Sequence, residues 1–254
     1  MKDTNYISII TFLLFAVLVT PLITGGGFSL NFGKVLYFRL VVEAAFIVYL
    51  LLINRNRSYL PAKNTLLFAV VAFWLSYFLS SVLSVNPSIS FWGEPLRMGG
   101  LVTLTHVLIF FVMMAAVFDK KTLLTFFKIS IRVACVVTLL AIGQKLGVGL
   151  VPSFGNEKPN GTIGNAALFA GYILPNIFLA GYFLFIKKVA TIDRYLYYAF
   201  IPLGIISIYW TTVRGAWLAL FVGTIYFSCS LIKKLSLKRM VLVSAFVFMV
   251  ATVT

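Results

Sequence analysis

The sequence predicts an all-α, polytopic transmembrane helix bundle, with about eight full spans, a ninth cut short and a cytoplasmic N-terminus. Three observations predict it. First, 61% of the 254 residues are hydrophobic and only 11% are charged, far less charge than a water-soluble surface needs. Second, apolar runs long enough to cross a hydrocarbon core of about 30 Å recur along the chain, whose mean hydropathy is +1.05. Third, the short segments between these runs are alternately rich and poor in Lys and Arg, as the positive-inside rule requires.

The first run, 6–23, follows Lys2 and resembles a signal peptide in outline. No small-x-small cleavage site precedes Gly25, so it reads as a retained anchor. The second, 35–53, carries Arg39 and Glu43 within it, and the third, 65–84, has Trp74 at its middle as a packing residue. The fourth and fifth, 101–117 and 126–143, contain His106 and Cys135 respectively. Pro175 in the sixth run, 166–186, and Pro202 in the seventh, 195–212, should kink or locally unwind their helices. The eighth, 216–232, includes Cys229; neither cysteine has a second one or a histidine cluster nearby, so both read as small packing residues. A ninth run starts at Met240 and reaches Thr254 after 15 residues, short of the ~20 a span requires. Its last carbonyls would lie unsatisfied in lipid, so a truncated reading frame is expected. Residues 1–254 thus form one transmembrane domain, the N-terminal portion of a longer protein.

With the N-terminus inside, fifteen basic residues fall in inner segments, five in outer segments (Lys34, Arg97, Lys145, Lys158, Arg214) and Arg39 within a span, accounting for all 21. Trp92, Trp210 and Trp217 lie at outer span edges and Tyr195, Tyr197 and Tyr198 at an inner one, as interfacial aromatics do. The net charge of +15 is explained by this topology, with no nucleic acid as partner.

Residues able to carry chemistry gather on the outer side. The loop 84–100 offers hydroxyls, glycines, Trp92 and Arg97; Arg97 either forks onto phosphate oxygens or snorkels beside Glu94. Asn165 stands where it can cap the sixth helix, leaving a positive dipole end for an anion or simply closing the helix. Arg39 and Glu43, four residues apart, share a helix face, and Glu43 lies roughly 12 Å deep. They form either a polar floor under an outward cavity or a pair that fixes helix packing. His106, the one histidine, is a weak candidate base or proton relay, or hydrogen-bonds a neighbouring helix. Arg214 occupies a short outer turn with Gly215 and Ala216, which let the backbone reverse, and it is a cation on the face that sorting disfavours. Two outer arginines, glycine-bearing loops and a capped helix describe an anion site, for which a lipid diphosphate is the natural occupant. No metal ligand set is seen.

Three motifs occur in order on the outer loops. They are Ser90-Phe91-Trp92-Gly93 with Arg97 and Gly100-Leu101, then Gly161-Thr162-Ile163-Gly164-Asn165 with Ala170-Gly171-Tyr172, then Arg214-Gly215-Ala216-Trp217-Leu218. Together they resemble the O-antigen ligase and polymerase family of bacterial membrane proteins, from the first span to the eighth. The resemblance implies glycan transfer without metal or cofactor on the outer face of the cytoplasmic membrane. It implies a donor glycan on undecaprenyl diphosphate and, as acceptor, a lipid-A core, another glycan or a protein. Outer arginines that engage the diphosphate carry over to Arg214 first and to Arg97 second. The pattern departs at Ala167, where the family often has a second Asn. The family's large outer loop after the last span, which supplies a further arginine and a histidine proposed as base, has no counterpart in residues 1–254, so this chain alone is expected to be inactive. A transporter of a small anion such as bicarbonate, or a non-catalytic membrane fragment that binds glycolipid, are the competing readings.

Overall fold

The structure is a computed structural model that describes residues 3–24, 30–95, 97–148, 158–185 and 189–231. The ninth run from Met240 lies outside the described residues, as do Lys2, Lys187, Lys188 and the basic residues of 233–239.

Every regular element among the described residues is helical. In order they are α1 (Asp3–Ala16), α2 (Leu30–Arg55), α3 (Thr65–Val82), α4 (Pro87–Trp92), α5 (Leu101–Val117), α6 (Lys120–Lys145), α7 (Ala166–Phe185), α8 (Thr191–Thr211) and α9 (Arg214–Leu231), with 3-10 turns at Val17–Leu22 and Arg57–Tyr59. The described part of each of the eight apolar runs falls largely on a helix. The differences are local. The first run tightens into the 3-10 turn that contains Pro21, and α2 and α6 begin earlier than hydropathy alone suggests, taking in Lys34, Lys120 and Lys121. Helix α7 continues through Pro175 and α8 through Pro202 without an unwound turn. A proline removes one amide and crowds one carbonyl, and buried residues before and after each proline, Ile173 and Ile177 in α7 and Phe200 and Gly204 in α8, hold the remaining ladder.

Asparagine and aspartate set several starts. Asn64 accepts from the Leu67 amide at 2.8 Å to open α3, and Asn86 accepts from Ile89 at 3.3 Å ahead of Pro87 to open α4. Asp119 accepts from Thr122 at 2.8 Å at the head of α6. Each supplies an acceptor for an amide that has no partner within the helix.

The chain divides into two compact units, Met1–Ile129 and Ser130–Thr254. In the first, Ile10 and Leu14 of α1, Val42, Ala45, Tyr49 and Leu52 of α2 and Met113 of α5 form the core. In the second, the fully buried Phe169 and Ile173 of α7, Phe200 and Ile208 of α8 and Leu220 of α9 do the same.

Five described helical segments are long and apolar enough to cross a membrane, namely Asp3–Leu22, Asn31–Arg55, Thr65–Val82, Lys120–Lys145 and Ala166–Phe185; Leu101–Val117 is a shorter apolar helix. Their outward faces are greasy. On α3, Phe68, Phe73 and Leu79 are 62%, 59% and 58% exposed. Facing water, each such side chain would forgo about 1.5–3 kcal/mol of burial; facing lipid tails it forgoes nothing. The chain is therefore read as a membrane protein.

Candidate functional site

The predicted site residues fall in two groups in the first unit and two in the second. The loop between α4 and α5 is closed at its neck by two glycines. A Cβ on Gly100 would stand 2.3 Å from the Gly93 nitrogen and 2.5 Å from the Phe91 carbonyl oxygen, and a Cβ on Gly93 would stand 2.5 Å from the Gly99 nitrogen. Only hydrogen fits at either place. The closed neck turns the chain through Met98, whose φ of 49° is left-handed. Arg97 projects from this loop 77% exposed, with Glu94 at 3.9 Å, a distance at which an exposed pair contributes little. Trp92 is exposed and helps line an apolar hollow of about 330 Å³ with Ser81, Val82, Pro87, Phe91 and Leu101.

Behind the loop, Arg39, Glu43 and His106 come together among α2 and α5, while the Arg97 side chain stays outside the cluster. Arg39 and Glu43 share a helix face but reach for different partners. The Arg39 Nη2 donates to the Met98 carbonyl at 3.2 Å and to Thr103 Oγ1 at 2.6 Å. Thr103 donates to the same Met98 carbonyl. Glu43 turns instead to His106, with Oε1 2.8 Å from Nε2. The expected Arg39–Glu43 pair is thus replaced by two interhelix links, because the loop carbonyl and the histidine each offer a closer partner. Arg39 is buried, and its Nε has no hydrogen-bond partner among the described residues.

In the second unit, the loop before α7 is folded onto α6 by Gln144. Its Nε2 donates to the Gly161 carbonyl at 3.0 Å, while its Oε1 accepts from the Gly161 and Asn160 amides at 2.8 and 3.2 Å. Gly161 has a φ of +55°, and a Cβ there would meet the Val137 carbonyl oxygen at 3.0 Å. Asn165 accepts from the Ala167 and Leu168 amides at 2.9 and 3.1 Å, so its side chain is the cap of α7.

Arg214 opens α9 after a sharp reversal. The left-handed residue there is Thr212, with φ of 54°, and the Thr211 hydroxyl accepts from the Val213 amide at 3.4 Å. Gly215 is therefore not the hinge that its composition suggested. It sits within the first turn of α9 with nothing within 4 Å of the place a Cβ would occupy. The Arg214 side chain is exposed, and no hydrogen bond or ion pair engages it among the described residues. Tyr209 and Trp217 brace the turn edge to face, with ring centres 5.7 Å apart.

Several residues escaped the sequence reading. Arg132 clasps Asp193 with Nε and Nη2 at 3.2 and 2.7 Å, and Ser130 donates to Asn176 at 2.8 Å. Gln144 is another, since it binds residues sixteen and seventeen positions further along the chain. The one local signal that could have been used is Asn86-Pro87, a cap followed by a proline at the first helical position, which marks α4. The chain matches no family model, no curated protein and no solved structure.

Proposed function

We propose that this chain belongs to the bacterial cytoplasmic membrane, with eight full spans and an internal N-terminus. There it transfers a glycan from undecaprenyl diphosphate to a lipid-A core, another glycan or a protein on the outer face. Arg214 carries this reading. It is an exposed cation without a partner among the described residues, held at a braced turn at the end of apolar helices. In the reaction, an acceptor oxygen bonds to the anomeric carbon, the carbon–oxygen bond to diphosphate breaks, and the acceptor proton passes to a base. The charge gathering on the departing diphosphate suits a guanidinium fork.

The test is binding of undecaprenyl diphosphate to purified protein in nanodiscs. Arg214→Ala should weaken it at least about tenfold, the equivalent of about 1.4 kcal/mol, with the helical content unchanged. Arg214→Lys should recover only part, since an ammonium lacks the fork. Wild-type affinity in Arg214→Ala would reduce the residue to an interfacial anchor. The second reading, transport of a small anion such as bicarbonate, draws on Arg39, Glu43 and His106, charged or titratable groups set among apolar helices. Bicarbonate uptake into proteoliposomes without any chemical turnover would favour it.

A further inference from the structure

We propose that Glu43 and His106 together form a proton-binding site that fills and empties through the Glu43 carboxylate. The His106 Nδ1 lies 2.6 Å from the Val102 carbonyl oxygen. A carbonyl can only accept, so Nδ1 carries a hydrogen. In a neutral ring Nε2 is then a bare lone pair, and it faces a Glu43 oxygen at 2.8 Å. Two lone pairs at that distance repel, so a proton lies between them. The pair is an imidazolium beside a carboxylate, or a neutral ring beside a carboxylic acid; the two differ only in which atom holds that proton.

Of the two side chains Glu43 is the open one, 55% exposed against 12% for His106, so a proton donor admitted to this depth would meet the carboxylate before the ring. On the far side of the ring, Val102 offers a helix carbonyl, which cannot pass a proton on. The pair therefore stores a proton and does not conduct one. When the proton leaves, the Nε2–Oε1 bond loses its hydrogen and the link between α2 and α5 loosens.

The other charges nearby are few. Arg39, one turn earlier on the same face of α2, is the fixed cation, held by Met98 and Thr103; Lys34 lies a further five residues back. Helix α1 contributes Asp3, already paired with Arg55 at 3.0 Å, and Arg55 is twelve residues beyond Glu43, roughly 18 Å along the helix. The turn Arg57–Tyr59 contributes Arg57 at that same end, α6, which meets α5 through Phe126 and Phe110, contributes Lys120, Lys121 and Lys128, and α3, α4 and the turn Val17–Leu22 contribute no charge. His106 and Glu43 are thus each other's hydrogen-bonded ionisable partner.

The chain holds one histidine, so nitrogen-15 histidine labelling reports this ring alone. Purified protein in bilayers would be titrated from about pH 4 to about pH 9, reading the ring nitrogens by magnetic resonance and the carboxyl band by infrared. The expected result is one transition in which both probes move together. In Glu43→Gln the amide donates to Nε2 in place of the shared proton, so the carboxyl change and the joint transition disappear. Glu43→Asp, which keeps the acid, should retain the joint transition and checks that the fold tolerates change here. The proposal is overturned if the wild type shows an ionised carboxylate beside a neutral ring at every pH, or if the His106 signals in Glu43→Gln overlay those of the wild type. Neither outcome depends on glycan transfer, which is read by undecaprenyl diphosphate binding.

Discussion

At the scale of single residues, the two site loops use glycine for different reasons. Gly93 and Gly100 are in backbone contact, so Gly100→Ala must force the neck of the α4–α5 loop open. A cost of about 1–3 kcal/mol is expected, as for overpacking in a closed space, and would be measured as a fall in the denaturation midpoint. Gly215 is the opposite case. With open space around it and a helical backbone, Gly215→Ala should stabilise α9 by about 0.4–1 kcal/mol, mostly by restraining the unfolded chain. If undecaprenyl diphosphate binding falls in that variant while stability rises, the hydrogen at Gly215 serves close approach of the ligand. If binding is unchanged, Gly215 has no part in the site. The sequence singled out Gly215 as the residue of the reversal and left Gly93 and Gly100 as loop glycines. Contact geometry alone separates them, because a glycine's role depends on which atoms come near it.

At the scale of elements, helix starts were legible because capping is local, acting within three residues of the cap. Asp119 illustrates the consequence for pH. The Thr122 side chain and amide hold its carboxyl below the ordinary carboxylate range. A depressed folded pKa means that the cap stabilises above the unfolded value, about 3.9, and is lost as pH falls through the lower folded value. Amide exchange at Thr122 and Leu123 should therefore accelerate in acid and stay flat from neutral to alkaline pH, apart from intrinsic exchange; Asp119→Ala should remove the acid step. The clasp of Arg132 on Asp193 was not legible, since the two residues are 61 positions apart. Asp193 is buried while Arg132 is half exposed. Arg132→Ala leaves a buried carboxylate without its cation, and a loss of about 2–3 kcal/mol is expected, below the range for fully buried pairs. Asp193→Asn, which removes the charge as well, should cost less. Equal losses for both variants would show that charge pairing does not hold α6 to α8.

At the scale of the whole molecule, orientation follows from where lysine and arginine fall. The proposed topology predicts that, in a variant with Cys135 and Cys229 replaced, a single cysteine at Arg97 or Lys158 is labelled by an impermeant maleimide in intact spheroplasts. One at Arg57 or Lys121 should be labelled only after lysis. The reverse pattern would invert the topology and place Arg214 inside. The sequence by itself determined that the protein is helical, where the apolar helices run and which residues are candidates for chemistry. Hydrophobic length, charge between spans and helix caps are all local or additive properties, so they survive without knowledge of the fold. Only the tertiary structure decided which candidates meet. It gave Glu43 to His106 and Arg39 to the Met98 carbonyl, and it moved the reversal before α9 from Gly215 to Thr212. Partner choice is a contest between groups distant in sequence but near in space. Distance and hydrogen-bond direction settle that contest, and neither is written in the order of residues.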